Sequence, residues 1–122
     1  MVWLLIFVGG GAGSLCRYAL GGIIQTRAHA AFPVGTLAVN VLGSLIIGLI
    51  ARQMLNMQSD VMVRAALVTG FCGGFTTFSA FSYETVGLIA GGEWAKVSLY
   101  VGVSVVACLA ATAIGMGRLL PR

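Results

Sequence analysis

Thr69-Gly70-Phe71-Cys72-Gly73-Gly74-Phe75-Thr76-Thr77-Phe78-Ser79-Ala80-Phe81-Ser82 lies inside a long uncharged stretch, yet it reads poorly as a helix. Three glycines fall within five residues, and two β-branched threonines follow. Glycine costs about 1 kcal/mol relative to alanine in a helix interior, and threonine adds a smaller penalty. The composition predicts a break in mid-helix. A break frees backbone carbonyls, and a bilayer tolerates these only where protein or a cavity surrounds them. Freed carbonyls can coordinate a small hard cation, as the broken helices of transporters do. The run is not a phosphate loop, because no lysine follows at the spacing of GxxxxGK[ST].

Outward from this stretch, the solvent implied by the chain is lipid. Of 122 residues, 59% are apolar and 8% charged, and the mean hydropathy is +1.03. A soluble domain carries about 25% charged residues. This excludes a soluble enzyme, a nucleic-acid binder and a disordered chain. The seven bases (Arg17, Arg27, Arg52, Arg64, Lys96, Arg118, Arg122) are scattered and form no nucleic-acid patch. There is one histidine, with no paired carboxylates and no nucleophile–base spacing, so no enzyme is expected. Cys16, Cys72 and Cys108 lie in apolar stretches without paired spacing, which gives neither a disulfide framework nor a metal signature.

Charged residues divide the chain into uncharged windows at Val2–Cys16, Ala28–Ala51, Ala65–Tyr83 and Val97–Gly117. A bilayer-crossing helix needs about 20 mostly apolar residues. The first window reaches that length if Arg17 lies inside the span or at its edge. No basic residue precedes its apolar run, so it reads as a span and not as a signal peptide. The expected fold is an all-α membrane protein: one transmembrane domain, 1–122, with four helices at about 2–24, 34–55, 62–90 and 95–118, the third broken mid-membrane. With four spans, Arg52, Arg64, Arg118 and Arg122 share one side, against Arg17, Arg27 and Lys96 on the other. Loop lysines and arginines set orientation, and this bias is small. A chain that inserts both ways can pair with its own inverted copy.

Two spans carry polar stripes at a spacing of four, which keeps side chains on nearly one helix face. The second span has Thr36, Asn40, Ser44 and Gly48; the fourth has Tyr100, Ser104, Cys108 and Thr112. Such stripes glue helices together or line a polar path. Phe71, Phe75, Phe78 and Phe81 are expected on one face of the third helix. Such rings pack, or turn their positive edges towards a small anion. Only Glu84, near the end of the third span, interrupts an otherwise acid-free interior, which argues against a cation or proton path.

Gly9-Gly10-Gly11-Ala12-Gly13 leading to Arg17-Tyr18, Pro33-Val34-Gly35-Thr36-Leu37 with Asn40, and the Gly70–Ser82 motif with Glu84 resemble the Fluc (CrcB) fluoride channel family. The resemblance covers three of the four helices in order. It implies an antiparallel, dual-topology homodimer in the bacterial inner membrane. Two narrow pores would export fluoride passively and so lower its toxicity. It implies a fluoride pathway through Asn40, Phe78 and Phe81, with Thr77, Ser79 and Ser82 of the broken segment and Tyr100, Ser104 and Thr112 of the fourth-helix track. It further implies a central structural Na+ held by the backbone carbonyls of Gly73 and Thr76. Cys108 interrupts the track with a weaker donor than a hydroxyl. Arg17 matches the basic position of the first motif without an assigned role.

The alternative is a small multidrug-type transporter, also four-helical and often of dual topology. That family places an essential glutamate in its first helix, and Val2–Ile24 contains no acid. A third class, a purely structural membrane protein, is disfavoured by the broken helix and the polar stripes.

Overall fold

A computed structural model describes residues 1–56 and 60–117. Arg118, Arg122 and most of the 56–60 connection lie outside the described residues. The described residues form helices alone: α1 (Val2–Ala28), α2 (Val34–Asn56), α3 (Val61–Arg64), a π-helix (Ala65–Cys72), α4 (Gly73–Phe75), α5 (Phe78–Ala90) and α6 (Trp94–Gly115). Four spans are long and apolar enough to cross a membrane, and α3 through α5 together make the third, Val61–Ala90. This is a multi-pass membrane protein. Its surface is accordingly inverted, with Trp3, Phe7, Leu15 and Tyr18 of α1 all exposed.

The first span ends at Ala28, beyond the expected residue 24, so Arg17 lies well inside it. His29 follows in the left-handed region (φ 47°) and turns the chain. Gln25 holds this turn. Its amide donates to the Ala30 and Phe32 carbonyls, and its oxygen accepts from the Gly35 N–H. Pro33 immediately precedes α2, where its fixed φ and missing N–H cost nothing.

Packing follows from small residues rather than bulky ones. α1 runs along the π-helix and α4, and α2 runs along α6. A methyl group on Gly13 would collide with the Phe71 carbonyl oxygen, and one on Gly74 with the Gly10 carbonyl oxygen. At the other interface Gly48 meets the Thr112 carbonyl, and Gly115 lies against Leu45 and Leu49. Lipid supplies no hydrophobic drive between helices, so close backbone approach supplies dispersion instead.

The third span does break, but not at its glycines. Gly70 lies in the π-helix, and Gly73 and Gly74 are α-helical. The extended residues are Thr76 (φ −91°, ψ 156°) and Thr77 (φ −148°, ψ 112°). The glycines Gly70 and Gly74 serve the contact with α1. β-Branched side chains favour extended backbone, and Thr77 also caps α5, its hydroxyl accepting from the Ala80 N–H at 3.1 Å.

Candidate anion pathway

The break is held from a neighbouring helix. Asn40 of α2 accepts the Thr77 N–H through Oδ1 at 2.8 Å and donates to the Thr77 carbonyl through Nδ2 at 3.1 Å. A single carboxamide thus replaces the helix bond that the Thr77 N–H has lost and adds a second hold on the Thr77 carbonyl. On the other side, Arg17 Nε donates to the Gly74 carbonyl at 3.1 Å, with Ser14 Oγ at 3.4 Å. The guanidinium stands at the C-terminal end of α4, where a helix presents its partial negative charge. With Arg17 engaged inside the bundle, the loop bases to weigh become Arg52, Arg64, Arg118 and Arg122 against Arg27 and Lys96. Lys96 is ion-paired with Glu93.

Two carbonyls at the break stay free. The Thr77 N–H, which would bond the Gly73 carbonyl in a continuous helix, goes to Asn40. The Ala80 N–H, the helical partner of the Thr76 carbonyl, goes to the Thr77 hydroxyl. Among the described residues no hydrogen bond reaches either oxygen.

Gly73 and Thr76 open onto a groove of about 500 Å³ on one face of the bundle. Its lining includes Asn40, Ser44, Thr77, Phe78, Phe81, Ser104 and Cys108, and among the described residues no charged side chain. Phe78 is 79% exposed here. The ring centroids of Phe78 and Phe81 are 5.5 Å apart at 41°. Phe81 lies 5.2 Å from Tyr100, which meets Phe32 edge-on at 5.4 Å. The four phenylalanines of the third span do not share one face. Phe71 and Phe75 stack at 5.8 Å with an interplanar angle of 9°, and Phe75 is buried. The two extended residues, Thr76 and Thr77, lie between the pairs and rotate the register.

A second hollow, of about 870 Å³, is lined by Arg17, Arg27, Gln25, Thr36, Glu84 and Thr77 among others. Thr77 lines both spaces, so the break separates a charged vestibule from a charge-free groove.

The expected track residues divide by what their protons do. Tyr100, fully buried, donates to Glu84 Oε2 at 2.6 Å. Thr112 donates to the Ser44 carbonyl at 3.1 Å, which makes it a tie between α6 and α2. Ser82 donates to the Phe78 carbonyl at 2.9 Å, and the Ser79 and Thr77 hydroxyls pair at 3.2 Å. Tyr100, Thr112, Ser79 and Ser82 do not line the groove. Ser104 differs: it is 7% exposed, and its oxygen is the one buried side-chain polar atom without a partner among the described residues. Such a group in a native interior implies a guest or a cost of about 1–3 kcal/mol.

Sequence reasoning noted Glu84 as an acid near the end of a span and as part of the third-span motif, without assigning it partners. In the fold its carboxylate also accepts from the Thr36 hydroxyl at 2.6 Å, so it joins α5 to both α2 and α6. The available signal was the polar stripe on each of those helices, each needing a partner.

These contacts can be set beside known proteins. The family described as "CrcB-like protein, Camphor Resistance (CrcB)" matches residues 4–116. A protein of Thermus thermophilus named "Fluoride-specific ion channel FluC" is 49% identical over 98 residues, covering 80% of this chain and 78% of its own. A namesake from Geobacter sulfurreducens is 47% identical over 116 residues, covering 93% and 92%. Another from Solibacter usitatus is 45% identical over 124 residues, covering 100% and 99%. The match takes in the glycine-rich first helix, Asn40, the broken third span and the fourth-helix track, and the chain belongs to the CrcB-like family.

Proposed function

We propose that this chain is a fluoride-specific channel that lets fluoride leave a bacterial cell passively across the inner membrane. The observation that carries the reading is the Ser104 hydroxyl, a buried unpaired donor in a groove lined by Asn40, Phe78 and Phe81 and free of charge. Fluoride must exchange its water for donors that also release it. Neutral hydroxyls and ring edges do this, whereas a fixed cation in the narrow part holds the ion too long. Arg17 and Arg27 stand instead at the vestibule, where they draw anions in. The names of the relatives support the same ion. A bacterium stripped of its own fluoride export should regain growth in fluoride when it makes this protein, and not when it makes Ser104→Ala. Equal rescue by both would contradict the role given to Ser104.

The reading includes an antiparallel homodimer with two pores. The groove lies open along one side of a single copy, and Phe78 projects from it. A second, inverted copy closes the groove against lipid. Tail-tagged protein should then be labelled from both sides of the membrane; one uniform orientation would contradict it. Sodium fits the break, because hard cations prefer oxygen ligands and the Gly73 and Thr76 carbonyls have lost their partners. Na+ there would be structural, offsetting the cost of those oxygens. Removal of sodium should lower the melting temperature of the dimer, and an unchanged melt would count against the site.

The transporter alternative asks for an acid in the first helix. The span Val2–Ala28 has none, and Arg17 occupies its interior.

A further inference from the structure

Cys108 is half-buried and lines the same charge-free groove as Asn40, Phe81 and Ser104. It follows Ser104 by four residues on α6, about one helical turn. Ser104 brings an independent observation: its hydroxyl is buried and unpaired among the described residues, on a side chain that lines this groove. One turn from Cys108 the groove thus has an unpaired buried hydroxyl. The other two thiols are placed differently. Cys16 is exposed on α1, away from the groove; Cys72 also borders the groove, but at 2% exposure it is shut off from a reagent that can reach the half-buried Cys108. A thiol reacts through its thiolate, and hydrocarbon does not support that charge. A hydrated anion path does.

We propose that Cys108 is a modification site for small thiol-directed electrophiles, and that capping its sulfur closes the anion path at Ser104. The closure rests on the channel reading above; the modification does not. With methyl methanethiosulfonate, the Cys108 sulfur bonds to the methylthio sulfur of the reagent. Methanesulfinate leaves with the bonding electron pair, and the thiol proton passes to water. The product is a mixed disulfide. It carries no S–H donor and adds apolar volume next to Ser104, so fluoride loses both a partner and room.

The test uses the purified full chain in liposomes, with efflux read by a fluoride electrode. The reagent is neutral and crosses the bilayer, so orientation does not matter. Treatment should slow wild-type efflux about tenfold or more, as expected when a narrow conduction site loses its donors. Dithiothreitol should restore it, and peptide mass should place the methylthio group on Cys108. Cys108→Ser, normalised to its own untreated rate, should be insensitive, and Cys16→Ser should keep the wild-type response. Unchanged efflux with Cys108 fully labelled overturns the closure, as does an equally sensitive Cys108→Ser. An unlabelled Cys108 overturns the site itself. Absence of efflux before any treatment contradicts the channel reading, and the mass measurement on Cys108 still decides the modification.

Discussion

Asn40 holds Thr77 by both of its backbone groups, accepting the N–H at 2.8 Å and donating to the carbonyl at 3.1 Å. The two residues stand 37 apart in sequence, and this clamp keeps the third span open at Thr76–Thr77. Asn40→Asp keeps the acceptor and loses the donor, and it puts a negative charge on an anion path. Asn40→Ala loses both bonds, at about 1–3 kcal/mol for each buried group left unpaired. Both should cut fluoride efflux about tenfold or more, a direct cost to the conducting site. Only Asn40→Ala should also lose most of its thermal stability in detergent. Normal efflux from folded Asn40→Asp would remove Asn40 from the pathway.

Glu84 gathers the hydroxyls of Thr36 and Tyr100, both at 2.6 Å. Tyr100→Phe keeps the ring stack with Phe32 and Phe81 and deletes one bond to a charged acceptor. Bonds to charged groups contribute about 1.5–3 kcal/mol. The expected result is a stability lower by about that amount, seen as a lower melting temperature in detergent. An unchanged melt would show that water replaces the phenol at Glu84.

Two glycines of the third span and first helix should respond in opposite ways to the same change. A methyl group on Gly74 meets the Gly10 carbonyl, so Gly74→Ala must push α1 and α4 apart. Overpacking of this kind costs about 1–3 kcal/mol. Gly11 has nothing within reach of an added methyl group. Gly11→Ala gains up to about 1 kcal/mol of helix propensity. Thermal melts of the two variants check the contrast, and equal stabilities would contradict the packing described for α1.

Phe78 and Phe81 face the groove as a tilted pair, and Phe78 is largely exposed. Isoleucine keeps much of the apolar volume and removes the ring edge. Phe78→Ile and Phe81→Ile should fold and, on the proposal that ring edges supply part of the ion's coordination, lose about tenfold or more of the fluoride efflux. If the rings only pack, efflux should follow stability. A folded Phe81→Ile with wild-type efflux would show this.

Much of the architecture was legible because lipid demands it: four long apolar windows leave few other folds. The break was legible in the Gly–Thr stretch, and it falls at the two threonines of that stretch rather than at its glycines. Propensity counts glycine as a poor helix former, but the interface with α1 rewards Gly74 for having no side chain. The single phenylalanine face failed for a related reason. A fixed turn per residue does not survive the extended pair Thr76 and Thr77. Stripes showed where polar groups lie but not where their protons go. Thr112 and Ser104 have the same spacing and opposite fates, one bonded to Ser44 and the other unpaired. Glu84 stayed hidden because its partners lie 48 and 16 residues away on two other helices.

The central claim is that fluoride passes through the groove holding Asn40, Ser104, Phe78 and Phe81. Its most direct test is fluoride release from liposomes that contain only the purified protein, with a potassium ionophore balancing the charge. The account predicts release driven by the fluoride gradient alone, strongly slowed in Ser104→Ala although that variant remains folded. Release no faster than from protein-free liposomes would contradict it.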